Sequence, residues 1–181
     1  MLRSRITRAK GLAVTLLACM GASDAPALPE DRNQPIRITA DSAVRDERAG
    51  ETRYVGSVEL VQGSLRIQAD SLTLQHRGNE TQLITATGSP ASLQQTPRAD
   101  SPPVEATANT IEYDQSADKV TLSDNARIAQ DGAIVTGALI DYTLGEQRVT
   151  ATGASEAQET GQRVEMVIPP NALERSREPE N

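Results

Sequence analysis

The sequence predicts an all-β protein in which antiparallel strands are stacked in a regular series, as in a solenoid or an elongated sandwich. Apolar and polar residues alternate with a period of two in many short runs, and Gly, Asp, Asn or Ser bounds each run. Val, Ile, Thr and Leu dominate these runs, and no segment sustains the helical period of an amphipathic helix. A repeated motif, described below, predicts strands of similar length.

The composition argues against several classes of function. The 181 residues carry a formal charge of −7, which disfavours nucleic-acid binding because phosphates are neutralised by basic surfaces. Aromatic residues make up 2% of the chain, with neither Phe nor Trp, so stacking platforms for bases or sugars are nearly lacking. One Cys and one His argue against a disulfide framework, a zinc site or a Cys–His nucleophile pair.

Residues 1–27 have the organisation of a cleaved signal peptide. Four basic residues precede a short apolar core at 11–21, and Ala25-Pro26-Ala27 supplies the small residues that a signal peptidase requires. Cys19 lies in a segment that loosely resembles a lipobox, but the apolar stretch before it is short, so cleavage after Ala27 is predicted. The sequence leaves open whether Cys19 is ever lipidated.

The predicted mature domain spans residues 28–168. Removing 1–27 takes away four basic residues and one acidic residue, so the formal charge falls from −7 to −10 and no cysteine remains. Such an exported domain is held together by burial and backbone pairing alone. Its alternating runs are IRITA at 36–40, VEL at 58–60, LRIQA at 65–69, LTL at 72–74, IEY at 111–113 and VTL at 120–122.

A motif built from an apolar residue, a small residue and Asp or Asn, followed by further apolar residues, recurs in this domain. Its four copies start at Ile38, Ile67, Ala106 and Val135. The copy at Ile38 is weaker, and the copy at Val135 keeps the apolar positions but has Ala138 in place of Asp or Asn. The starting numbers of the first and third copies differ by 68, as do those of the second and fourth. The domain is therefore predicted to consist of two repeat halves, offset by 68 in residue number. The Pro-rich segment 97–103 is predicted to join them.

Both ends of such a strand series would expose unpaired backbone groups. The first strand is predicted at 36–41 and the last at 163–168, where Pro169-Pro170 ends it. Residues 169–181 form a polar tail that is predicted to be disordered. The edges favour pairing with a partner or with another copy, head to tail, although termini folded over the ends would satisfy the same groups.

The interior is predicted to be lined by small aliphatic side chains. If two sheets face each other at roughly 10 Å, these side chains need not meet, and a flexible alkyl chain would suit the gap. An ordinary dry core, in which the sheets approach more closely, is the alternative, and composition alone favours it.

Three segments resemble a known family: QPIRI at 34–38, GSVELVQGSLRIQAD at 56–70 and GSPA at 88–91. On these residues the chain resembles the OstA-like family of lipopolysaccharide transport proteins, from about residue 34 to residue 169. The resemblance implies a twisted antiparallel β-jellyroll, open at both ends, whose groove carries the lipid A acyl chains of lipopolysaccharide in the periplasm. It also implies end strands that pair with an LptC-like inner-membrane protein, an LptD-like outer-membrane protein or another copy of the chain.

The resemblance further implies which side chains face the groove. These lipid-binding candidates are the apolar residues that keep the family's phase, and plain core packing would give the same pattern. They are Ile36, Ile38, Val58, Leu60, Leu65, Ile67, Leu72, Leu74, Ile111, Tyr113, Val120, Leu122, Ile128, Val135, Ile140 and Tyr142.

No catalytic residue, cofactor or metal site is predicted. Asp41, Asp70, Asp114 and Asp141 are the carboxylates that a hydrolase could use, but turn chemistry or outward faces explain them better. His76 is expected in a solvated hairpin turn. The predicted function is a lipopolysaccharide carrier that links inner- and outer-membrane components by strand pairing. A structural or adaptor β-solenoid with a dry core remains the alternative.

Overall fold

The computed structural model describes residues 30–77, 80–97, 101–154 and 163–170. The predicted signal peptide lies outside the described residues, as does the predicted tail beyond residue 170. Within the described part, no helix is both long and apolar enough to cross a membrane.

Nearly all of the described chain is β-strand, so the all-β prediction is confirmed. One short helix, α1 (Glu30–Asn33), precedes ten strands. These are β1 (Arg37–Thr39), β2 (Ser42–Asp46), β3 (Glu51–Gln62), β4 (Leu65–Arg77), β5 (Glu80–Gln95), β6 (Val104–Asp114), β7 (Lys119–Gln130), β8 (Ala133–Thr143), β9 (Arg148–Thr152) and β10 (Glu165–Val167).

The strands form one antiparallel sheet in which β3 to β8 follow each other as a meander. Two short strands flank each end: β1 and β2 both pair with β3, while β9 and β10 both pair with β8. The predicted first and last strands are therefore present, with shorter bounds than expected. Segment 97–103 connects β5 to β6, which are neighbours in the sheet.

Every long strand is interrupted near its middle. The pairing register shifts between Val55 and Val58, and a matching shift occurs in each pair from β4–β5 to β7–β8. Because such irregularities bend a strand, the sheet folds over along this line. Layer one comprises 37–39, 58–62, 65–69, 91–95, 104–108, 126–130, 133–137 and 165–167. Layer two comprises 42–46, 51–55, 71–77, 80–87, 110–114, 119–123, 139–143 and 148–152.

The repeated sequence motif lies where the chain crosses between the layers. The copies starting at Ile67, Ala106 and Val135 each run into the register shift of β4, β6 and β8. The copy starting at Ile38 covers the step from β1 to β2. The motif therefore encodes one local event, a strand passing from layer one to layer two. The division of 28–168 into two halves stays a prediction.

The apolar side chains of both layers form one buried cluster on the inner face of the folded sheet. Leu60, Ile84, Leu122 and Ile140 are each 0% exposed. Among the described residues no second sheet or helix covers this face, so only the sheet itself can bury it. Burial of this inner face is the driving force for folding the sheet over.

Both termini of the domain pack against tips of layer one. Asp31 in α1 accepts a hydrogen bond from the backbone N–H of Ser64 at 3.0 Å and a second one from the Ser64 hydroxyl. A Cβ on Gly63 would overlap Asp31, so this tight contact requires a glycine. At the other end, Pro169 lies against Gly132 in the β7–β8 turn.

Candidate functional site

The candidate site is the inner face of the folded sheet, and the structure gathers all sixteen sequence-predicted residues there. Fourteen of them are buried, among them Val58 at 2% and Tyr113 at 2% exposure. Ile36 and Ile38, at the first strand, are partly buried and pack against the same cluster. The period-two pattern therefore identified the inward face correctly in both layers. Contact of these residues with lipid stays a prediction.

Several inner-face residues were missed by the sequence analysis. They belong mostly to β5 and β6, where alanines reduce the contrast between apolar and polar positions. They are Ile84, Ala86, Ala91, Leu93, Val104, Ala106, Ala108, Ala126 and Leu144. The alternation of Ile84 with Ala86 and of Ala91 with Leu93 was the available signal. Small alanines on the inner face take up little of the space between the two layers.

The middle of the interior is closed to water. Its twelve largest fully buried side chains are each exposed by less than 2%. Exposure of the inward side chains rises towards both ends of the sheet; at the C-terminal end Val149 is 37% and Met166 is 56% exposed. Both face inwards, because they pair with the buried residues Tyr142 and Val135. The apolar interior therefore reaches solvent at the last strands.

The open side of the folded sheet, opposite the line of bends, is bordered by glutamines. The side-chain amide of Gln115, after β6 in layer two, donates to Oε1 of Gln62 in layer one at 3.1 Å. Gln62 in turn donates to the carbonyl of Gln34 at 3.2 Å. Gln62 is 5% exposed and Gln95 is 9% exposed, so both are buried polar residues. Amides thus close the side where the layers are not joined by backbone.

His76 lies in a strand rather than in the predicted turn. The expected solvated turn is wrong, because His76 belongs to β4 and is half-buried. Its Nε2 lies 3.3 Å from the hydroxyl of Thr52, and its Nδ1 lies 3.3 Å from that of Thr81. Side-chain pairing across β3, β4 and β5 therefore holds the ring at the margin of layer two.

The four candidate carboxylates have structural partners or exposed positions. Asp141 pairs with Lys119 at 3.0 Å and accepts from the Thr121 hydroxyl at 2.8 Å. Asp114 accepts from the backbone N–H of Ser116 at 2.8 Å and from that of Ala117 at 3.0 Å. The hydrogen bond from the Ser116 hydroxyl is the main cause of a lowered pKa at Asp114. Asp41 and Asp70 are exposed.

The described residues contain no group of three or more His, Cys, Asp or Glu that could hold a metal ion. This finding covers only those residues, so the expected lack of a metal site stays a prediction.

The two ends of the sheet carry strand edges with free pairing capacity among the described residues. Each of β1, β2, β9 and β10 pairs with one neighbour only. Val44 in β2 is 71% exposed, and Val167 in β10 is 51% exposed. Apolar edge strands of this kind are templates for β-augmentation.

An apolar interior inside a folded-over antiparallel sheet, with strand edges at both ends, defines a β-jellyroll of the OstA-like class. The family model described as LptA/(LptD N-terminal domain) LPS transport protein matches residues 37–148. The chain therefore belongs to this family, which confirms the resemblance inferred from its sequence.

Individual relatives agree with this assignment. The lipopolysaccharide export system protein LptH of Pseudomonas aeruginosa is 38% identical over 158 residues, covering 86% of this chain and 90% of that protein. LptA of Escherichia coli K12 is 31% identical over 165 residues, covering 90% of this chain and 85% of that protein. The crystal structure of P. aeruginosa LptH superposes with a TM-score of 0.72 at 37% identity, covering 78% of this chain and all of that one.

Proposed function

We propose that this protein is a periplasmic lipopolysaccharide carrier that shelters the acyl chains of lipid A and links inner- and outer-membrane components of the export system. The observation that carries the proposal is a continuous apolar inner face, in a chain of the LptA/(LptD N-terminal domain) family. The periplasmic location is supported by the relative LptH, which is described as a periplasmic component of the lipopolysaccharide transport device. The role is non-catalytic.

The lipid-binding residues are the sixteen inner-face residues given above. Their side chains are aliphatic apart from Tyr113 and Tyr142, so they offer a surface that suits hydrocarbon of varied length. Each CH₂ moved from water into this interior contributes about 0.8 kcal/mol. A few acyl chains therefore bind without any charged anchor.

The charge of the domain supports recognition through the tails. The predicted mature domain and tail carry a net −10, and the head groups of lipopolysaccharide are anionic. The long-range field of the protein therefore repels the cargo head. Because burial of hydrocarbon drives binding, we expect affinity to depend little on salt.

The partners bind at the ends of the sheet. The free edges of β1 and β2 at one end, and of β9 and β10 at the other, support pairing with an LptC-like inner-membrane protein and an LptD-like outer-membrane protein. The same edges support head-to-tail self-association, because one end of a copy can continue the sheet of the next.

The alternative of a dry structural or adaptor β-solenoid is not favoured by the relatives, which are lipopolysaccharide export system proteins. A core with less than 2% exposure at its largest side chains is also what a dry structural or adaptor β-solenoid would have. Binding of a fluorescent fatty-acid analogue separates the two functions. The carrier binds it saturably, whereas the adaptor shows no binding at micromolar protein.

Site-directed photo-crosslinking tests the carrier function directly. A photoreactive amino acid at Ile36, Ile38, Leu65, Ile67 or Tyr113 is expected to crosslink to purified lipopolysaccharide. The controls are Arg37 and Glu59, which alternate with the inner-face residues on β1 and β3 and point outwards. Equal crosslinking from the outward positions, or none from the inner ones, would contradict the proposed function.

A further inference from the structure

The glutamines on the open side include one hydrogen-bond acceptor that the closed structure leaves unpaired. Gln95 Oε1 is buried and has no hydrogen-bond partner among the described residues. With 9% exposure, this oxygen has lost its water without gaining a protein donor. Such an acceptor is costly to leave unpaired, so it marks a place where a donor from another molecule is favoured.

Gln95 faces the same interior margin as Gln62. In β5 it continues the inward series of Ala91 and Leu93, which are 0% and 4% exposed. Its neighbour Gln94 pairs with Arg66, which brings Gln95 opposite Leu65, the residue that pairs with Gln62. Gln62 and Gln95 therefore lie in one row across β3, β4 and β5. Gln115 from layer two meets this row.

Cargo that enters sideways, between the two layers, requires the layers to separate along this row. The interior side chains already exclude water, and the opposite side is continuous backbone along the bends. A direct side-chain link across the open side is the hydrogen bond between Gln62 and Gln115 at 3.1 Å. A neutral hydrogen bond of this kind shifts an equilibrium by only about fivefold, so it is readily exchanged for another.

We propose that Gln62, Gln95 and Gln115 form a seam that opens for cargo and binds the polar junction of an acylated sugar, where hydroxyl and amide N–H groups adjoin the hydrocarbon. The inference rests on the proposed carrier function and assigns the depth of the lipid in the groove. Acyl chains lie inwards of the seam, against Leu60, Leu65 and Leu93. The Gln62–Gln115 bond is replaced by hydrogen bonds to the cargo, and Gln95 Oε1 accepts from one of its donors.

The unpaired acceptor of the seam favours an occupant that carries hydrogen-bond donors. Gln95 presents an acceptor oxygen, which pairs with a hydroxyl or an N–H but not with an anionic oxygen. The amide groups of Gln62 and Gln115 are neutral and offer both donors and acceptors. A sugar carrying hydroxyl and amide groups matches this set.

Two probes test Gln95: purified lipopolysaccharide and a fluorescent fatty-acid analogue that lacks the sugar. Gln95→Leu is expected to weaken lipopolysaccharide binding by about five- to tenfold, the loss of one hydrogen bond at a desolvated site, and to leave fatty-acid binding unchanged. The matched control is Gln94→Leu, at the exposed neighbouring position, which is expected to change neither affinity.

The outcomes separate this inference from the proposed function. If the unaltered protein binds lipopolysaccharide and both variants bind it equally well, the proposed role of the seam is refuted and the proposed carrier function is retained. If the unaltered protein binds neither probe, both proposals fail. Retained fatty-acid binding by Gln95→Leu shows that the variant is folded.

A distance measurement tests the opening. Spin labels at Glu59 and Glu112, which lie on outward faces of layers one and two, are introduced as cysteines in a Cys19→Ser background. The distance between them is expected to increase by several ångströms when lipopolysaccharide is added, because acyl chains then lie between the two layers. An unchanged distance with lipopolysaccharide bound would overturn the opening of the seam.

Discussion

The two predicted repeat halves of the domain share an unusual backbone conformation at several matching positions, with different residues there. Positive φ angles occur at four positions in the first half, and each has a counterpart whose residue number is higher by 68. The pairs are Gly50 at 65° with Asp118 at 53°, Gly56 at 87° with Asp124 at 61°, Ser57 at 45° with Asn125 at 55°, and Gly63 at 58° with Asp131 at 50°. The offset seen in the sequence is thus also an offset in backbone conformation.

The first half uses mainly glycine at these positions, whereas the second uses only Asp and Asn. Asp and Asn tolerate a left-handed backbone because their short side chains bond locally, and glycine tolerates it because it has no Cβ. In the first half a Cβ on Gly56 would overlap Asp41, and one on Gly63 would overlap Asp31. Contacts with the N-terminal segment therefore require glycine there. The left-handed backbone is therefore common to both halves, and contacts with neighbouring side chains decide which residue occupies each position.

The largest expected losses of stability come from cavity-forming substitutions on the inner face, and they should be equal in the two predicted halves. Leu60 and Ile128 occupy equivalent positions of the two halves on the inner face, with 0% and 4% exposure. Leu60→Ala and Ile128→Ala are each expected to lower the free energy of unfolding by about 3–4 kcal/mol, because each leaves a cavity in a packed core. Chemical denaturation measures both. A difference above about 2 kcal/mol, which is the whole spread found among comparable core cavities, would break the equivalence of the halves.

A smaller, asymmetric effect is expected at the bends. Gly56→Ala is expected to cost about 2–3 kcal/mol, because the new Cβ meets Asp41 and the left-handed backbone disfavours alanine. The matched variant Asp124→Ala is expected to cost about 1 kcal/mol, from backbone strain alone. Asp41→Gly should recover part of the loss in Gly56→Ala. Equal costs at both positions, with no recovery, would refute the packing explanation.

The smallest effect concerns the β6–β7 turn and its counterpart in the first half. Asp114 and Asp46 are equivalent in the repeat, and each accepts hydrogen bonds from the backbone N–H groups two and three residues later. Asp114→Ala is expected to lower the free energy of unfolding by about 0.5–1 kcal/mol at neutral pH. The bond from the Ser116 hydroxyl lowers the pKa of Asp114 below its ordinary value of 3.8, so its carboxylate is favoured in the folded state. Stability from this group is therefore present above pH 3.8 and is lost as pH falls through the lower folded pKa.

Thermal melts of Asp114→Ala and the unaltered protein at pH 7 and pH 2 measure this dependence. The difference in unfolding free energy should shrink at pH 2. A difference that is constant with pH would show that the carboxylate charge contributes nothing to the turn.

Much of the fold could be predicted because its signals are local. The alternation in Leu65, Ile67, Leu72 and Leu74 predicts both the strand and its buried face, since side chains of a strand point alternately to opposite sides. The prediction of the inner face was incomplete in β5, because the alternating pattern there relies on alanines such as Ala86 and Ala91. His76 was misplaced because polar neighbours and a following Gly-Asn pair resemble a turn, whereas cross-strand threonines extend β4.

The sequence by itself determined most of the strands and many of their inward residues, because alternation is a property of neighbouring residues, and its segments 34–38, 56–70 and 88–91 carried the family resemblance. Only the tertiary structure decided how one sheet folds over to cover its own apolar face. It also decided that Gln62 meets Gln115, 53 positions away, and that the Oε1 atom of Gln95 is buried without a hydrogen-bond partner among the described residues. These contacts depend on the register of non-adjacent strands and on the angle at each bend. Both are set by the packing of the whole interior rather than by any local pattern.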